Sequence, residues 1–258
     1  MKLRRHGIAG FAWSSAGLVI SLVTWEAVSR FTAVNPLLLP PPTQICVALI
    51  ELVRSGELLR DVTVSLRRAS VGFAAGLISG VAVGLLTARY ARVQAVLAPL
   101  LHIARALPPV AIIPLVILWF GIGDFAKIWS IAFAVFFPVW VNTLSGASRV
   151  APVYVWAGRS LGFNRREEVF RIILPASMPF IVAGIRNGVA VAFVMVFVSE
   201  LAGADSGLGF QIAVSQLAYR VDRMIAALLV LATLAAVADL VLSRGARALF
   251  PWLTPIES

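Results

Sequence analysis

The chain has 258 residues, of which 60% are hydrophobic and only 13% are charged. Soluble domains are typically about a quarter charged, so this composition excludes an ordinary water-exposed surface. Because blocks of about 20 apolar residues can cross a bilayer as helices, it predicts an all-α membrane protein. The net charge is +10, but the basic residues lie in short clusters between apolar blocks, which argues against binding to nucleic acid.

The apolar blocks predict six transmembrane helices in a single domain that covers residues 1–258. The first block follows a basic N-terminus, so a cleaved signal peptide is the alternative for it. Its length favours a retained span. The predicted spans lie at about 9–31, 67–88, 93–120, 126–147, 178–201 and 224–243.

Residues 32–66 join the first two spans, and we expect them outside the membrane. Three consecutive prolines at positions 40–42 force an extended entry, and Thr43 is predicted to cap an amphipathic helix that ends at Arg54. A second short helix is predicted near Glu57 to Arg67. Both helices are expected to lie along the membrane interface.

Basic residues differ between the two sides of the predicted membrane. On one side the basic residues outnumber the acidic ones, whereas on the other side acidic residues largely balance the basic charge. Because basic excess marks the cytoplasmic face, both termini, the loop 148–177 and the tail 244–258 are predicted to be cytoplasmic. The basic residues on that side are Lys2, Arg4, Arg5, Arg89, Arg92, Arg149, Arg159, Arg165, Arg166, Arg171, Arg244 and Arg247.

Small residues recur every four positions in two of the predicted spans. Residues four apart share one helix face, and a face without side chains lets a second helix approach closely. The alternative is the general abundance of glycine in membrane helices, which explains the four-member series less well than the shorter one. The predicted packing residues are Gly72, Gly76, Gly80 and Gly84 in the second span, with Gly184, Gly188 and Ala192 in the fifth.

The loop 148–177 is long for a compact protein, and long loops are usually functional. Asn164 followed by Glu167 predicts a capping box at the start of a helix. Pro175 is predicted to stop that helix. The loop is therefore expected to form two short helices that meet at Gly162.

The spacing of Ala157-Gly158, Gly162, Ile172 and Leu174-Pro175 resembles the Glu-Ala-Ala loop in permease subunits of bacterial ABC importers. The resemblance implies that a short coupling helix docks into a groove on a separate ATPase subunit. Trp156 stands where that family most often has glutamate, which favours apolar over electrostatic docking. The coupling residues so implied are Trp156, Ala157, Gly158, Ser160, Leu161, Gly162, Phe170, Ile172, Leu174 and Pro175.

Further segments resemble one branch of that family, the nitrate, sulfonate, taurine and bicarbonate permeases. These segments are Ser65–Arg68 before Gly72-Phe73, Leu107–Leu115, Trp119–Gly123 with Lys127-Ile128, Glu200-Leu201 and Gly207–Gly209. The branch implies a type I ABC importer permease fold in the bacterial inner membrane and a small, mostly anionic solute. Importers of other small organic molecules also belong to it.

The resemblance also implies partners. A periplasmic binding protein would deliver the solute, two ATPase subunits would carry ATP and magnesium, and a second copy of this permease or a paralogue would complete the membrane path. The permease would be surrounded by membrane lipid and would not bind nucleic acid. No Gly-x-x-x-x-Gly-Lys-Ser/Thr segment occurs in the sequence, so any ATP chemistry must come from another polypeptide.

Other classes of function receive less support from the residues. One cysteine and two distant histidines offer no metal-ligand spacing. A membrane enzyme is disfavoured because the sequence shows no nucleophile with a paired base. A self-contained secondary transporter or channel stays open as the alternative. It should show internal repeats, and none is convincing here.

Ionisable and polar groups within the spans are candidates for the translocation path. Arg105 is expected at mid-bilayer depth, either attracting anions or satisfied by carbonyls freed at Pro108 and Pro109. Glu200 is expected as a structural or gating residue at the outer mouth, paired with another helix because Arg186 is too far along the same one. Asn142 offers a neutral donor, with an interhelical hydrogen bond as the commoner use; His102 is expected to be packed.

Overall fold

The computed structural model describes residues 6–31, 35 and 37–250. Every regular element in these ranges is a helix. The basic residues at positions 2, 4 and 5, and residues 251–258 of the tail, lie outside the described residues. The helices are α1 (His6–Phe31), α2 (Pro42–Arg54), α3 (Glu57–Arg89), α4 (Ala91–Ala106), α5 (Pro109–Phe120), α6 (Asp124–Ser148), α7 (Pro152–Ser160), α8 (Arg165–Glu168), α9 (Leu174–Leu201), α10 (Leu208–Leu217) and α11 (Val221–Leu249).

Four helical stretches of the described chain are long and apolar enough to cross a membrane. They are α3, α6, the continuous stretch from α8 through α9, and α11. The bent pair α4 and α5 would make a fifth. The chain is thus an all-α membrane protein, while the count of six spans and the extent of the single domain stay predictions.

Helix α6 lies between the two glycine faces. On α3, a Cβ added at Gly76 would lie 2.6 Å from the carbonyl oxygen of Ala132 and 2.8 Å from Cβ of Val135. On α9, a Cβ at Gly184 would lie 2.9 Å from Cβ of Asn142. Backbones this close need residues without side chains, and the glycines of both series face α6 in the structure.

Two apolar clusters hold the bundle together. The first surrounds α6 and includes Val135, Val139 and Met195. The second joins α2, α10 and α11 to α9 through residues such as Leu52 and Phe193. The bundle is therefore built outward from α6, with α10 and α11 packed against α9 and with α2 packed against α11 and α3.

The start of α2 differs from the prediction. Its N-cap is Pro41, whose side chain forms no cap hydrogen bond. The Thr43 backbone N–H instead donates to Oε2 of Glu26 at 3.2 Å, and its hydroxyl donates to Oε1 of Glu26 at 2.9 Å. A carboxylate on α1 therefore satisfies this helix start, and the predicted cap by Thr43 is wrong.

The predicted short helix from Glu57 to Arg67 is not separate. It is the first third of α3, which runs unbroken for 33 residues from Glu57 and follows Gly56, a residue with φ of 78°. Asp61 in this segment and Arg68 just after it are buried and bond to other elements of the bundle. A charged helical segment can enter a bundle when such partners exist.

Pro175 does not stop a helix, contrary to prediction. The five residues Val169–Ile173 form a π-helical turn, in which the Leu174 N–H donates to the carbonyl of Val169. The widened turn accommodates a proline that has no N–H of its own to donate. Helix α8 therefore continues through this turn into α9.

The third predicted span is not one straight helix. The axes of α4 and α5 differ by 98°, and Leu107 between them is extended, with φ of −73° and ψ of 126°. A residue before proline is pushed out of the helical region, and Pro109 restarts the helix at a position that proline favours. Two adjacent prolines thus break this segment.

Candidate functional site

Residues 149–175 form an ordered projection at one end of the bundle, here called the loop end. Oδ1 of Asn164 accepts from the N–H groups of Arg166 and Glu167, both at 3.0 Å, and Oε2 of Glu167 accepts from the Asn164 N–H at 3.0 Å. Gly162 turns the chain with φ of 83°. The predicted capping box and the junction of two helices at Gly162 are confirmed.

Two of the predicted coupling residues face inward. A Cβ on the buried Gly158 would lie 2.5 Å from Cδ1 of Ile172, so α7 packs directly on the π turn. The Phe163 N–H also donates to the Gly158 carbonyl at 3.0 Å. Gly158 and Ile172 therefore brace the loop internally and leave contact with a partner to other residues.

The outward side of the loop carries large apolar side chains among exposed arginines. Trp156 is 63% exposed, Leu161 76% and Phe170 57%, and Tyr154, which the sequence analysis did not select, is 62% exposed. Large apolar side chains projecting together mark an interaction site. Among the other predicted coupling residues, Leu174 is half-buried. The exposed ones are Ala157, Ser160, Gly162 and Pro175.

A buried carboxylate ties the loop to the bundle. Glu168 is 2% exposed and accepts hydrogen bonds from Arg89 at the end of α3 and from Arg159 of α7, both at 2.6 Å. The Glu168 carboxylate raises the pKa of Arg159 above its ordinary value. We call Arg89, Arg159 and Glu168 the loop clamp.

A second carboxylate binds α3 at the opposite end of the bundle. Glu200 is 1% exposed and accepts from Nη1 of the buried Arg68 at 2.9 Å and from the Ser65 hydroxyl at 2.8 Å. We call Ser65, Arg68 and Glu200 the network clamp, and this end the network end. The expected pairing of Glu200 with another helix is confirmed.

The network clamp also holds the start of α10. The Gly209 N–H donates to Glu200 and the Leu208 N–H to the Ser65 hydroxyl, both at 2.9 Å. Oδ1 of Asp61 accepts from the Gly207 N–H at 2.9 Å. Since the first N–H groups of a helix have no partner within it, these contacts fix α10 against α3 and α9.

A cleft of about 450 Å³ lies beside the network clamp. Asp124 contacts both Arg67 and Arg68, and the Lys127 ammonium donates to backbone carbonyls of Ile122 and Gly123. A hydrogen bond from the Ser206 hydroxyl lowers the pKa of the exposed Asp205 carboxyl at the cleft edge. Acidic and basic groups alternate here, so the cleft has no strong excess of either charge.

The three path candidates do not share one site. Asn142 donates to the Pro138 carbonyl at 2.8 Å within α6, so the favoured interhelical hydrogen bond is wrong. Arg105 lies exposed in the last turn of α4, and within the described residues it bonds neither to the carbonyls near Pro108 nor to any carboxylate. Glu200 belongs to the network clamp.

Arg186 pairs with Asp239 of α11 at 3.3 Å, so the prediction that another helix satisfies it is confirmed. The His102 ring contacts Trp140 of α6 edge-on, with 5.2 Å between centroids, but His102 is exposed, so the prediction that it is packed holds only in part. The sequence did not predict the ion pairs of Arg68, Arg89 and Glu168. Each is a charged residue next to an apolar helical stretch, and this position alone does not identify the residue with which it pairs.

Comparisons with known proteins agree on one family. The family model described as binding-protein-dependent transport system inner membrane component matches residues 80–254. The putative aliphatic sulfonates transport permease protein SsuC of Bacillus subtilis (strain 168) is 30% identical over 256 residues, which are 98% of this chain and 93% of that protein. The taurine transport system permease protein TauC of Escherichia coli (strain K12) is 32% identical over 240 residues, or 91% and 87%.

The fold is also found in a solved structure. A chain of the MetNI methionine ABC transporter in an inward-facing conformation superposes with a TM-score of 0.62 at 21% identity. The match covers 74% of this chain and 95% of that one. At this identity the likeness concerns the fold alone, which is that of a type I ABC importer permease.

Proposed function

The chain belongs to the family of binding-protein-dependent transport system inner membrane components and is a permease subunit of an ABC importer, and on this premise we propose that it forms the membrane path for a small sulfonate-type anion. Its relatives SsuC and TauC are named for aliphatic sulfonates and taurine. Nitrate and bicarbonate are the other anions of this branch. Membership of the family argues against a self-contained secondary transporter or channel.

The observation that carries the coupling proposal is the construction of the loop end. Three large apolar side chains, Trp156, Leu161 and Phe170, project from helices that a capping box and the loop clamp hold in place. An ATPase subunit docks on this surface. Because Glu168 bonds to α3 and is continuous with α9, displacement of the loop reaches both membrane helices.

The working assembly contains two permease chains, as a homodimer or with a paralogue, together with two ATPase subunits and a periplasmic binding protein. ATP and magnesium are bound on the ATPase subunits. Closure of the two ATPases draws the loops together and switches the path between outward and inward access. The family description, which names a binding-protein-dependent system, supports these partners.

The loop end faces the cytoplasm, with both termini on the same side and the network end outside. The excess of basic residues near the loop supports this orientation. It is testable with Cys46, which is the only cysteine in the chain, is exposed and lies on α2 near the network end. A membrane-impermeant maleimide should label Cys46 in intact cells, with Cys46→Ser as the control; labelling only after lysis would reverse the orientation.

Docking is tested by Leu161→Asp, which places a charge in the apolar surface. The variant should lose co-purification with the ATPase subunit. Leu217→Asp is the matched control, because Leu217 is 81% exposed at the network end. Gly162→Trp should likewise abolish association or uncouple ATP hydrolysis from uptake. Normal association and normal coupled uptake in both loop variants would overturn the assignment of the loop.

The solute class is tested by purifying the cognate binding protein and measuring its affinity for taurine, ethanesulfonate, nitrate and bicarbonate by calorimetry. We expect the sulfonates to bind. Retention of an uncharged solute instead would overturn the anion assignment while leaving the permease role intact.

A further inference from the structure

Helix α4 has two opposite faces of different character. The exposed residues Val96, Leu100, Ile103 and Leu107 recur at intervals of four, three and four, which places them in one apolar stripe. Successive residues of a helix are turned by about 100°, so Arg105 lies about 140–180° away from each member of the stripe. An apolar stripe suits lipid, and Arg105 therefore points away from the lipid.

The side of α4 that carries Arg105 lies next to α6, although Arg105 and His102 are both exposed within the single chain. His102, turned only about 60° from Arg105, packs against Trp140 of α6. Trp140 lies eight residues before the end of α6 and sixteen after its start, or about 12 Å and 24 Å along the helix. Arg105 is one turn further along α4, so it lies near mid-membrane depth.

Within the described part of its own chain, Arg105 has no counter-charge. Every carboxylate in the described part of the chain forms an ion pair or accepts a hydrogen bond from another residue, and a second copy of the chain would repeat these contacts. The carboxylates so engaged are Glu26, Glu51, Glu57, Asp61, Asp124, Glu167, Glu168, Glu200, Asp205, Asp222 and Asp239. An arginine at this depth needs water or an anion beside it.

We infer that Arg105 recognises the negatively charged group of the solute inside the membrane path. A guanidinium can donate two parallel hydrogen bonds to a sulfonate or carboxylate, and the exposed side chain of Arg105 leaves room for such a group. The inference rests on the proposed function, in that the solute is an anion. It assigns a specificity-determining residue to the path.

The first test measures the local field without using the solute. In the Cys46→Ser background, His102→Cys places a thiol one turn from Arg105. The thiol is treated either with the anionic reagent 2-sulfonatoethyl methanethiosulfonate or with the cationic 2-(trimethylammonium)ethyl methanethiosulfonate. The rate of each reaction is followed by the increase in mass of the permease chain, in the resting and in the vanadate-trapped full complex. The ratio of the two rates cancels any effect of Arg105 on the thiolate fraction.

We normalise this ratio to that of a small free thiol, which corrects for the intrinsic difference between the two reagents. We expect the normalised ratio to favour the anionic reagent about tenfold, and Arg105→Gln to bring it near one. Ile103→Cys, in the lipid-facing stripe, is the control and should not react. An unreactive Cys at position 102 in both states, or a ratio unchanged by Arg105→Gln, would overturn the inference.

The second test measures uptake of labelled taurine into proteoliposomes that contain the full complex and binding protein. Arg105→Gln should raise the concentration for half-maximal uptake by at least about tenfold, and Arg105→Lys should restore part of it. Arg92→Gln, an exposed arginine at the loop end of the same helix, should behave as wild type. Normal uptake by Arg105→Gln would refute the role.

The two tests separate failure of the inference from failure of the proposed solute class. If the wild-type complex takes up neither taurine nor ethanesulfonate, the sulfonate assignment fails. The charge preference at position 102 still decides whether Arg105 attracts anions.

Discussion

The two clamps join the same pair of helical stretches, α3 and the stretch from α8 to α9, at opposite ends, and they differ in access to solvent. In the network clamp the side chains of Arg68 and Glu200 are 2% and 0% exposed. In the loop clamp Glu168 is equally buried, but Arg89 and Arg159 are 22% and 52% exposed.

This difference assigns different mechanical roles to the two ends. Breaking a buried ion pair leaves an uncompensated charge and is strongly destabilising, so we expect the network clamp to keep α3 and α9 together throughout a transport cycle. The more exposed arginines of the loop clamp can reorient at lower cost. We therefore expect the loop clamp to adjust its arginines while it passes displacement of the loop on to α3.

The largest expected effect is that of Glu200→Ala, which removes the main carboxylate from Arg68. We expect a loss of about 3 kcal/mol in the free energy of unfolding, the lower end of the range for a broken buried pair, because Asp124 still contacts Arg68 at 2.6 Å. Denaturant titration in detergent micelles measures it. Glu57→Ala, at an exposed carboxylate of the same end, is the control, and equal stability of the two variants would contradict a rigid network clamp.

Gly76→Ala tests the contact between α3 and α6 that lies between the clamps. The new methyl group would meet the Ala132 carbonyl at 2.6 Å, and a helix backbone cannot yield easily, so we expect a loss of about 1–3 kcal/mol. In the matched variant Gly188→Ala the nearest atom is a Val135 methyl carbon at 3.2 Å. The same titration should give a smaller loss there; the reverse order would show that α3 is not pressed on α6.

Glu168→Gln should affect coupling more than stability. Arg159 is half exposed and Arg89 is partly exposed, so the unfolding midpoint should fall less than in Glu200→Ala. Displacement of the loop would no longer reach α3, so the ATP hydrolysed per solute imported should rise several-fold in proteoliposomes. Arg165→Gln, at an exposed arginine of the same loop, is the control. Unchanged coupling in Glu168→Gln would remove the loop clamp from the mechanism.

The smallest effect is expected for Arg159→Gln, since Glu168 keeps its bond to Arg89. The unfolding midpoint should not change measurably. Because Glu168 raises the pKa of Arg159 above its ordinary value, the pair is fully present below that ordinary value and is lost only as the pH rises through the raised pKa. Wild-type coupling should therefore be flat from roughly pH 6 to 9; a step attributable to Arg159 in that range would contradict this.

Local spacing was enough to predict the features that depend on one helix. Glycines at every fourth position named the face of α3 that meets α6, and Asn164 with Glu167 named the start of α8. Such features depend on helix periodicity and on capping chemistry, and both can be recognised from residues that are close together in the sequence.

The clamps could not be predicted in the same way. Arg68 and Glu200 are 132 positions apart, and no rule of spacing pairs residues across different helices. The behaviour of prolines also depends on what surrounds them: Pro108 and Pro109 break a span, whereas Pro175 continues one because a π turn precedes it. The sequence contains the same residue in both cases, and only the packed neighbours distinguish them.

The π turn at Val169–Ile173 also sets the angular phase of the stretch from α8 to α9. A π turn holds one residue more than a regular turn, so every side chain before it is rotated by about 100° relative to those after it. Deleting one residue from the π turn would turn the whole stretch into a regular α-helix. Glu168 would then swing away from Arg89 while Glu200 stayed on Arg68. Deletions and insertions in this turn are thus expected to disconnect the loop from α3 without unfolding the bundle.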